Sequence, residues 1–466
     1  MGDDEDLTEF SEWYHRMLEE NEVVDTRYPV KGMPVYRGYG MKIIRVMQRF
    51  LEDLLEEDGH DPMLFPVAIP EDLLAKETEH IAGFEDEVYW ITHAGANQLE
   101  RKMALRPTSE TCMYPMFALW TRTHADLPIK IHQTVCVYRY ETKHTRPLIR
   151  SREIAWNEGH TAFATREGAL ENIETIKGIY GRLINELLCI PVQVNQRPDW
   201  DKFPGAEYTI AFETIMPDGR TMQLATIHNL GQHFSKVFDL SYDDEDGKKH
   251  HAWQTSYGPG FGRLLAAVIS VHGDEKGLAL PPKVAPIQVV VVPILFKETG
   301  RDEVMAYVGK IEDKLRKSGV RYVVDRGGER PGDKFFKWEK KGVPLRIEAG
   351  PRDMKEGKVV VVRRDNGEKK SVGLTELDLN QALDDVQDSM RYAAQKKFDE
   401  RLYEAETMDD VRENMGKGII TTGWCGDKEC AKPIESISTI LSMSDDEMEC
   451  AKCGAKGKKI KVAKTY

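Results

Sequence analysis

Residues 137–160 read VYRYETKHTRPLIRSREIAWNEGH. Four arginines (Arg139, Arg146, Arg150 and Arg152) crowd around Glu141 and Glu153, and Trp156, Glu158 and His160 close the stretch. The chain of 466 residues carries a net charge of -13, so this is a gathering of guanidiniums in one short, partly apolar hairpin of an acidic protein. Alternate residues on a strand share a face, which puts Arg139 and Glu141 side by side. A guanidinium offers a bidentate fork to phosphate. A carboxylate accepts from an exocyclic amine such as that of adenine. Taken alone, the pair reads first as a cross-strand surface ion pair, which is worth little.

Working outward, residues 88–270 carry short alternating runs between turn signals: VYWIT, KIHQTVCVYRYE, REIAWNEGHTAF, PVQVNQ, YTIAFETIM and TMQLATIHNL. Period-two stretches of this kind predict an antiparallel sheet. A long helix is predicted at about 166–188 and a second, apolar one after the glycines at 258–262. Upstream, 38–58 reads as an amphipathic helix, with Ile43, Met47, Phe50 and Leu54 at helical spacing. PMLFPVAIP follows as a short strand with Pro66 inside it, and a proline without a ladder donor places such a strand at an edge or an interface. After Pro281, Pro282 and Pro286 the pattern changes: an apolar run at QVVVVPIL, then strand and helix in alternation, predict a separate small α/β domain. Residues 374–415 read as helical and charged.

Three further constellations stand out. In GPGFGR, Gly258 to Arg263, alternating glycines permit close approach, and the following helix or Arg263 faces a phosphate. No βαβ unit surrounds it, so a dinucleotide fold is excluded. Arg106-Pro-Thr-Ser-Glu110 reads as a capped helix start. Cys425-x4-Cys430 and Cys450-x2-Cys453, nineteen residues apart, suit four-coordinate structural Zn2+. Cys112, Cys136 and Cys189 stand in apolar surroundings and read as buried small hydrophobes. Residues 326–370 hold 14 Lys/Arg against 8 Asp/Glu, and 451–466 hold six lysines and no acid, a local basic footprint that suits a polyanion. No apolar run approaches the roughly 18 residues of a membrane span, and the acidic start lacks signal-peptide features. The expectation is a soluble, cytoplasmic protein without membrane partners.

The order of LRPTSET, VYRYETKH…REIAWNEGH, QLATIHNLGQHFSK, TSYGPGFGR, HGDEKGLALPPKVAPIQVVVVPI and GVPLRIEAGPRD resembles the class II aminoacyl-tRNA synthetases, within them the prolyl-tRNA synthetase family of archaeal and eukaryotic type. The resemblance spans about 35 to 360, and the cysteine-bearing tail extends it to Tyr466. It implies an α+β chain in three parts. Residues 1–283 form an antiparallel-sheet catalytic domain, with motif one at about 38–70, motif two at about 135–160 and motif three at about 252–272. Residues 284–375 form an α/β anticodon-binding domain, and 376–466 a small zinc-binding α/β domain. It further implies a homodimer formed at the Pro66 strand.

By the same resemblance, Arg139 holds the α-phosphate of ATP, Glu141 accepts from the adenine amine, and Arg150 and Ser151 reach the nucleotide. Gln223 and Thr226 line its site, and Arg263 holds the γ-phosphate, with Mg2+ sharing the charge. Thr108 and Glu110 take the secondary ammonium of L-proline, Arg139 serves both ends, Trp156, Glu158 and His160 wall the pocket, and His228 closes it. Lys341, Arg346 and Glu348 are the implied readers of tRNA(Pro) anticodon guanines. The family's closing tyrosine tucks toward the active site, a place taken here by Tyr466. About ninety residues separate His160 from Ala252, too few for the editing insertion of the bacterial type. Selectivity then rests on the pocket, and misactivation of cysteine or alanine is expected. Two readings compete: an ATP-dependent ligase that forms prolyl-adenylate, or a synthetase-like tRNA-binding paralogue without activation. Specificity for threonine, serine, glycine or histidine is a further alternative. No HIGH or KMSKS sequence supports the other synthetase class.

Overall fold

The hairpin lies within a seven-stranded sheet. The computed structural model describes residues 2–76, 85–142, 144–295 and 300–466. In chain order the strands are β1 (Asp61–Pro62), β2 (Ile129–Tyr138), β3 (Glu153–Phe163), β4 (Gln193–Gln196), β5 (Tyr208–Ile215), β6 (Thr221–Gly231) and β7 (Trp253–Pro259). Their order across the sheet is β1-β2-β3-β7-β6-β5-β4. Only the short β1–β2 pairing is parallel; the rest are antiparallel, as the alternation predicts.

The two faces divide the work. Ile227 and Tyr257 join Phe212 in a cluster with Ile43, Met47 and Leu51 of the helix Gly38–Glu57, Ile173 and Ile176 of Arg166–Gly181, and Leu264 and Leu265 of Phe261–His272. Each such side chain removed from water contributes about 1.5–3 kcal/mol. The alternate residues, among them His228 and Ser256, face away from that core. Register places His160, Ser256 and His228 in one row across β3, β7 and β6, with Thr209 of β5 next to it. A bulge supplies one extra residue on β6: Phe212 pairs with Ala225, but Glu213 pairs with Gln223. That step turns Gln223 to the same face as Thr226, although the two are three residues apart.

Two expectations fail here. Pro66 does not interrupt a strand. The stretch splits into β1 at the sheet's edge and Ala68–Pro70, which joins a separate three-stranded sheet, and Pro66 lies in the link between them. A strand that must leave one sheet for another needs such a non-ladder residue at the exchange. Likewise β2 ends at Tyr138, so Arg139 and Glu141 are not on a strand. Their backbones turn, with Glu141 N–H donating to Arg139 O at 2.7 Å.

Beyond Pro286 a five-stranded sheet contains Val289–Pro293, Tyr322–Val324, Leu345–Ala349, Lys358–Arg363 and Lys369–Gly373. Val289 and Val291 pack with Val304, Val308 and Ile311, while Val290 and Val292 pack with Trp338 and Val343. Both faces are covered, which is why this run is continuously apolar. Part of the domain's basic excess faces the catalytic body. Arg364 makes a bidentate pair with Asp274 (2.6 and 2.8 Å), and Lys341 pairs with Glu22 at 3.0 Å with its ammonium 4.8 Å from the Tyr39 ring.

The residues expected to be helical to 415 instead hold the helix Leu379–Asp399, the strand Leu402–Glu404 and the helix Met408–Asn414. Leu402–Glu404 opens a four-stranded sheet with Ile419–Trp424, Thr439–Glu449 and Lys456–Ala463. This unit folds back on the first: Thr465 bridges Thr221, and Arg401 donates to Met216 O at 2.8 Å. Among the described residues no helix is long and apolar enough to cross a membrane.

Candidate active site

A cavity of about 640 Å³ opens on the sheet face opposite the helices Gly38–Glu57 and Arg166–Gly181, a face that also carries the helix Glu110–Trp120. Thr108, Glu110, Arg139, Trp156, Glu158, His160 and His228 all line it, and so do Glu141, Arg150, Ser151, Gln223, Thr226 and Arg263. The sequence therefore locates its wall from four separate stretches.

One end is built around carboxylates. Ser109 precedes the helix Glu110–Trp120, so Glu110 stands in the first turn, where the helix dipole favours negative charge. Thr108 Oγ1 donates to Glu110 Oε2. Glu158 Oε1 accepts from Ser109 Oγ at 2.5 Å and from Gln133 Nε2 at 2.7 Å, and its Oε2 pairs with His160 Nε2 at 3.1 Å. His160 Nδ1 lies 3.0 Å from Tyr114 Oη. Burial alone would push the His160 imidazole down; the hydrogen bond to Glu158 and the charges of Glu110 and Glu158 outweigh it and hold it above its ordinary value. Glu158 is thus held by hydrogen-bond partners from Ser109, Gln133 and His160. The outer wall is aromatic: Phe203 stacks on His228 at 4.4 Å and 28°, and the Arg139 guanidinium lies 5.6 Å from the Trp156 ring.

The other end is built around guanidiniums. Arg139 Nε donates to Pro107 O at 3.0 Å, and Arg150 pairs with Glu141 at 3.0 Å. Arg263, one residue past Gly262, donates to Ile149 O at 2.9 Å and Gln223 O at 3.0 Å. Burial, then the neighbouring charges of Arg150 and Arg139, bring its pKa down to about 10, so it stays cationic at neutral pH. Two of the three motif glycines serve backbone packing: a Cβ on Gly258 would stand 2.7 Å from Asn157 O, and one on Gly262 2.8 Å from Leu148 O, whereas one on Gly260 would meet nothing within 4 Å. Arg146 has a different place from its neighbours, its guanidinium lying 5.2 Å from both the Tyr14 and Tyr466 rings. Tyr466 reaches the cavity wall, with Oη donating to Asp218 and its ring 3.9 Å from the Arg220 guanidinium.

Sequence reasoning missed Phe203, Arg197 and the pair Ser109–Gln133. Gln133 stands directly opposite Glu158 in the β2–β3 ladder, so pairing the two runs of the hairpin would have found it. Arg197 Nη2 bridges Glu213 Oε1 at 2.7 Å and Gln223 Oε1 at 3.1 Å; no local pattern marks it.

Elsewhere, the Sγ atoms of Cys425, Cys430, Cys450 and Cys453 all lie within 4.8 Å of one another, with Cys425 and Cys453 3.8 Å apart. A tetrahedral site with metal–sulfur bonds of about 2.3 Å has edges of about 3.8 Å. Burial raises the Cys450 thiol, but the backbone N–H groups of Lys452, Cys453 and Cys425 bring it down to about 7. The donor set fits zinc. In the second domain Arg346 pairs with Glu348 at 3.0 Å, Lys369 reaches the same carboxylate at 2.7 Å, and the Arg346 guanidinium lies 4.2 Å from the Phe335 ring. Lys341 stands apart from this group, held at the seam with Glu22.

An antiparallel sheet with a guanidinium-lined cavity, followed by a small α/β domain, defines a class II aminoacyl-tRNA synthetase. The family model described as tRNA synthetase class II core domain (G, H, P, S and T) matches residues 89–272, and the model described as anticodon binding domain matches 288–380. Within that class the chain belongs to the proline–tRNA ligase family. It is 48% identical over 472 residues to the proline–tRNA ligase of Methanopyrus kandleri, covering 99% of this chain and 97% of that one. It is 52% identical over 394 residues to that of Methanococcus vannielii, covering 84% and 85%. Among solved structures, Giardia lamblia prolyl-tRNA synthetase in complex with prolyl-adenylate superposes with a TM-score of 0.94 at 36% identity, covering 98% of both chains. The Cryptosporidium parvum enzyme complexed with halofuginone and AMPPNP gives 0.93, also at 36% identity and 98% of both chains.

Proposed function

We propose that this chain activates L-proline with ATP and transfers it to tRNA(Pro), releasing AMP and diphosphate. The observation that carries the reading is the single cavity that joins a carboxylate for an ammonium, Glu110, to three guanidiniums for phosphates, Arg139, Arg150 and Arg263. Glu110 and Thr108 hold the proline ammonium. The proline carboxylate, ionised at neutral pH, attacks the α-phosphorus, so no general base is needed. Arg139, between the two ends, meets the charge that grows on the α-phosphate, and Arg263 holds the γ-phosphate of the leaving diphosphate. Glu141 accepts from the adenine amine, and Arg150, Ser151, Gln223 and Thr226 complete the nucleotide wall. Trp156, Glu158, His160 and His228 enclose the ring of proline. ATP arrives with Mg2+, which would share the negative charge of the phosphates with Arg139 and Arg263.

The test is amino-acid-dependent exchange of pyrophosphate into ATP without tRNA. Proline is expected to dominate. Alanine and cysteine are expected to trail above background at millimolar concentration, because each methylene in an apolar pocket is worth only about 1–3 kcal/mol. Absence of exchange with any amino acid, while tRNA(Pro) still binds, would leave a binding paralogue and refute the catalytic roles.

Arg346 and Glu348 are the proposed readers of anticodon guanines, by guanidinium fork and by acceptance from the base amines. Glu348 is buried and doubly paired, so reading requires that pair to open. Lys341 is the third proposed reader; it is paired with Glu22 at the seam with the catalytic body, so its reading likewise requires a pair to open.

A homodimer is proposed at the β1 edge. Leu64 beside it is 81% exposed, with Val67, Leu119 and Trp120 also exposed. A two-fold axis buries two copies of Leu64 per dimer, so Leu64→Asp is expected to weaken dimerisation by about a hundredfold or more, read by light scattering against concentration. An unchanged dimer would place the interface elsewhere.

A further inference from the structure

Phe203 reaches the amino-acid end of the cavity on a loop, PDWDKFPG at 198–205, that has one inner and one outer anchor. The inner anchor is Phe203 itself. Its ring stacks on His228, and its N–H donates to Thr209 Oγ1 at 2.9 Å. The same hydroxyl bonds His228 Nδ1 at 2.9 Å, so a shift of the loop reaches the imidazole as well as the ring. The outer anchor is Trp200. It is 55% exposed, and its ring meets Trp424 edge-to-face, with centroids 5.8 Å apart at 86°. Trp424 is itself fixed. Its backbone pairs with Lys458, its Nε1–H donates to Asp427 O at 2.8 Å, and it immediately precedes Cys425 of the four-cysteine cluster. The two tryptophans are 224 positions apart in sequence and belong to different folding units.

We propose that Trp200 and Trp424 form a brace by which the C-terminal unit holds the 198–205 loop over the amino-acid pocket, both acting as positioning residues for proline binding; this rests on the function assigned above. The brace acts on one end of the cavity only. The phosphate end is built from Arg139 and Arg150 on the hairpin and Arg263 on the glycine-led helix, none of which stands on this loop. The loop's one tie to the nucleotide wall is indirect, Asp201 pairing at 3.3 Å with Arg197, which reaches Gln223, so loss of the brace weakens proline far more than ATP.

The experiment is pyrophosphate exchange with the full chain, separating KM for proline, KM for ATP and kcat. Trp200→Ala is expected to raise the proline KM about three- to tenfold, the size of an edge-to-face pair, with kcat and the ATP KM within about twofold. Trp424→Ala gives the same rise, the double variant no more than either single one, and Trp200→Phe restores most of the loss. Thermal midpoints of Trp200→Ala and Trp200→Phe, measured in parallel, stay near that of the unaltered chain, because an exposed ring carries little of the fold; those of Trp424→Ala and the double variant fall together, because Trp424 also packs on the C-terminal core. A proline KM unchanged in Trp200→Ala, an equal rise for ATP, or effects that add in the double variant would each overturn the brace. Absence of proline-dependent exchange in the unaltered chain would instead overturn the functional reading itself.

Discussion

Replacing Arg263 by alanine will slow proline-dependent pyrophosphate exchange at saturating ATP by about 10²- to 10³-fold, the loss typical of one preorganised donor at a developing charge. The guanidinium is half-buried and fixed by two backbone carbonyls, Ile149 O on the hairpin and Gln223 O on β6. It therefore costs nothing to orient at the moment of reaction. Its removal also leaves both carbonyls without that donor, at about 1 kcal/mol each, so part of the loss is structural. Arg263→Lys separates the two. A lysine keeps the charge but lacks the fork that satisfies two carbonyls and a phosphate together. If charge alone mattered, lysine would recover most of the rate; the geometry requires that it recover little. Measuring the single-turnover rate of prolyl-adenylate formation, with the thermal midpoint in parallel, checks this. A drop of less than about tenfold for Arg263→Ala in a fully folded protein would remove Arg263 from the phosphate site.

Such residues were legible in the sequence because their short patterns stand in the order of a known family; taken alone, Arg139 and Glu141 read as a surface ion pair. The hairpin, the glycine-led helix and RPTSE each reach the cavity. The sheet was equally plain, since alternation over β2, β3, β5 and β6 has one buried reading. What was hidden depends on pairing between distant runs. Gln223 and Thr226 are three apart and would face opposite ways on a regular strand; only the bulge against Glu213 brings them together. Arg197 and Phe203 come from a loop with no periodicity, and their roles exist only through Gln223 and His228. Pro66 misled because one apolar run serves two sheets, which periodicity cannot reveal. The pairing of Lys341 with Glu22, 319 positions away, likewise has no local signal.

Stripping metal from the four-cysteine cluster, or the change Cys453→Ser, will unfold the outer half of the C-terminal unit, the second large effect. Metal analysis of the intact protein should give one zinc per chain. The unit has little else to hold its tip. Its core is a small cluster around Ile420, Ile434, Ile440, Ile460 and Val462, and Thr439–Glu449 loses register against Lys456–Ala463 between Met443 and Glu447. Cys450 and Cys453 stand at the far end of that hairpin, beyond the irregularity, and Cys425 and Cys430 flank the start of the helix Lys428–Glu435. A metal joins these two ends, and structural zinc of this kind contributes about 10–16 kcal/mol, more than such a core supplies. Without it, four thiols within 4.8 Å must stay protonated or repel. The expected signs are new proteolytic cleavage within 443–458 and loss of a separate melting step, both reversed by added Zn2+. The inner half should persist longer, because Thr465 and Tyr466 are bound to β6 and Asp218 rather than to the metal. Unchanged cleavage and melting after complete removal of zinc would mean that the cysteines are neighbours by packing alone.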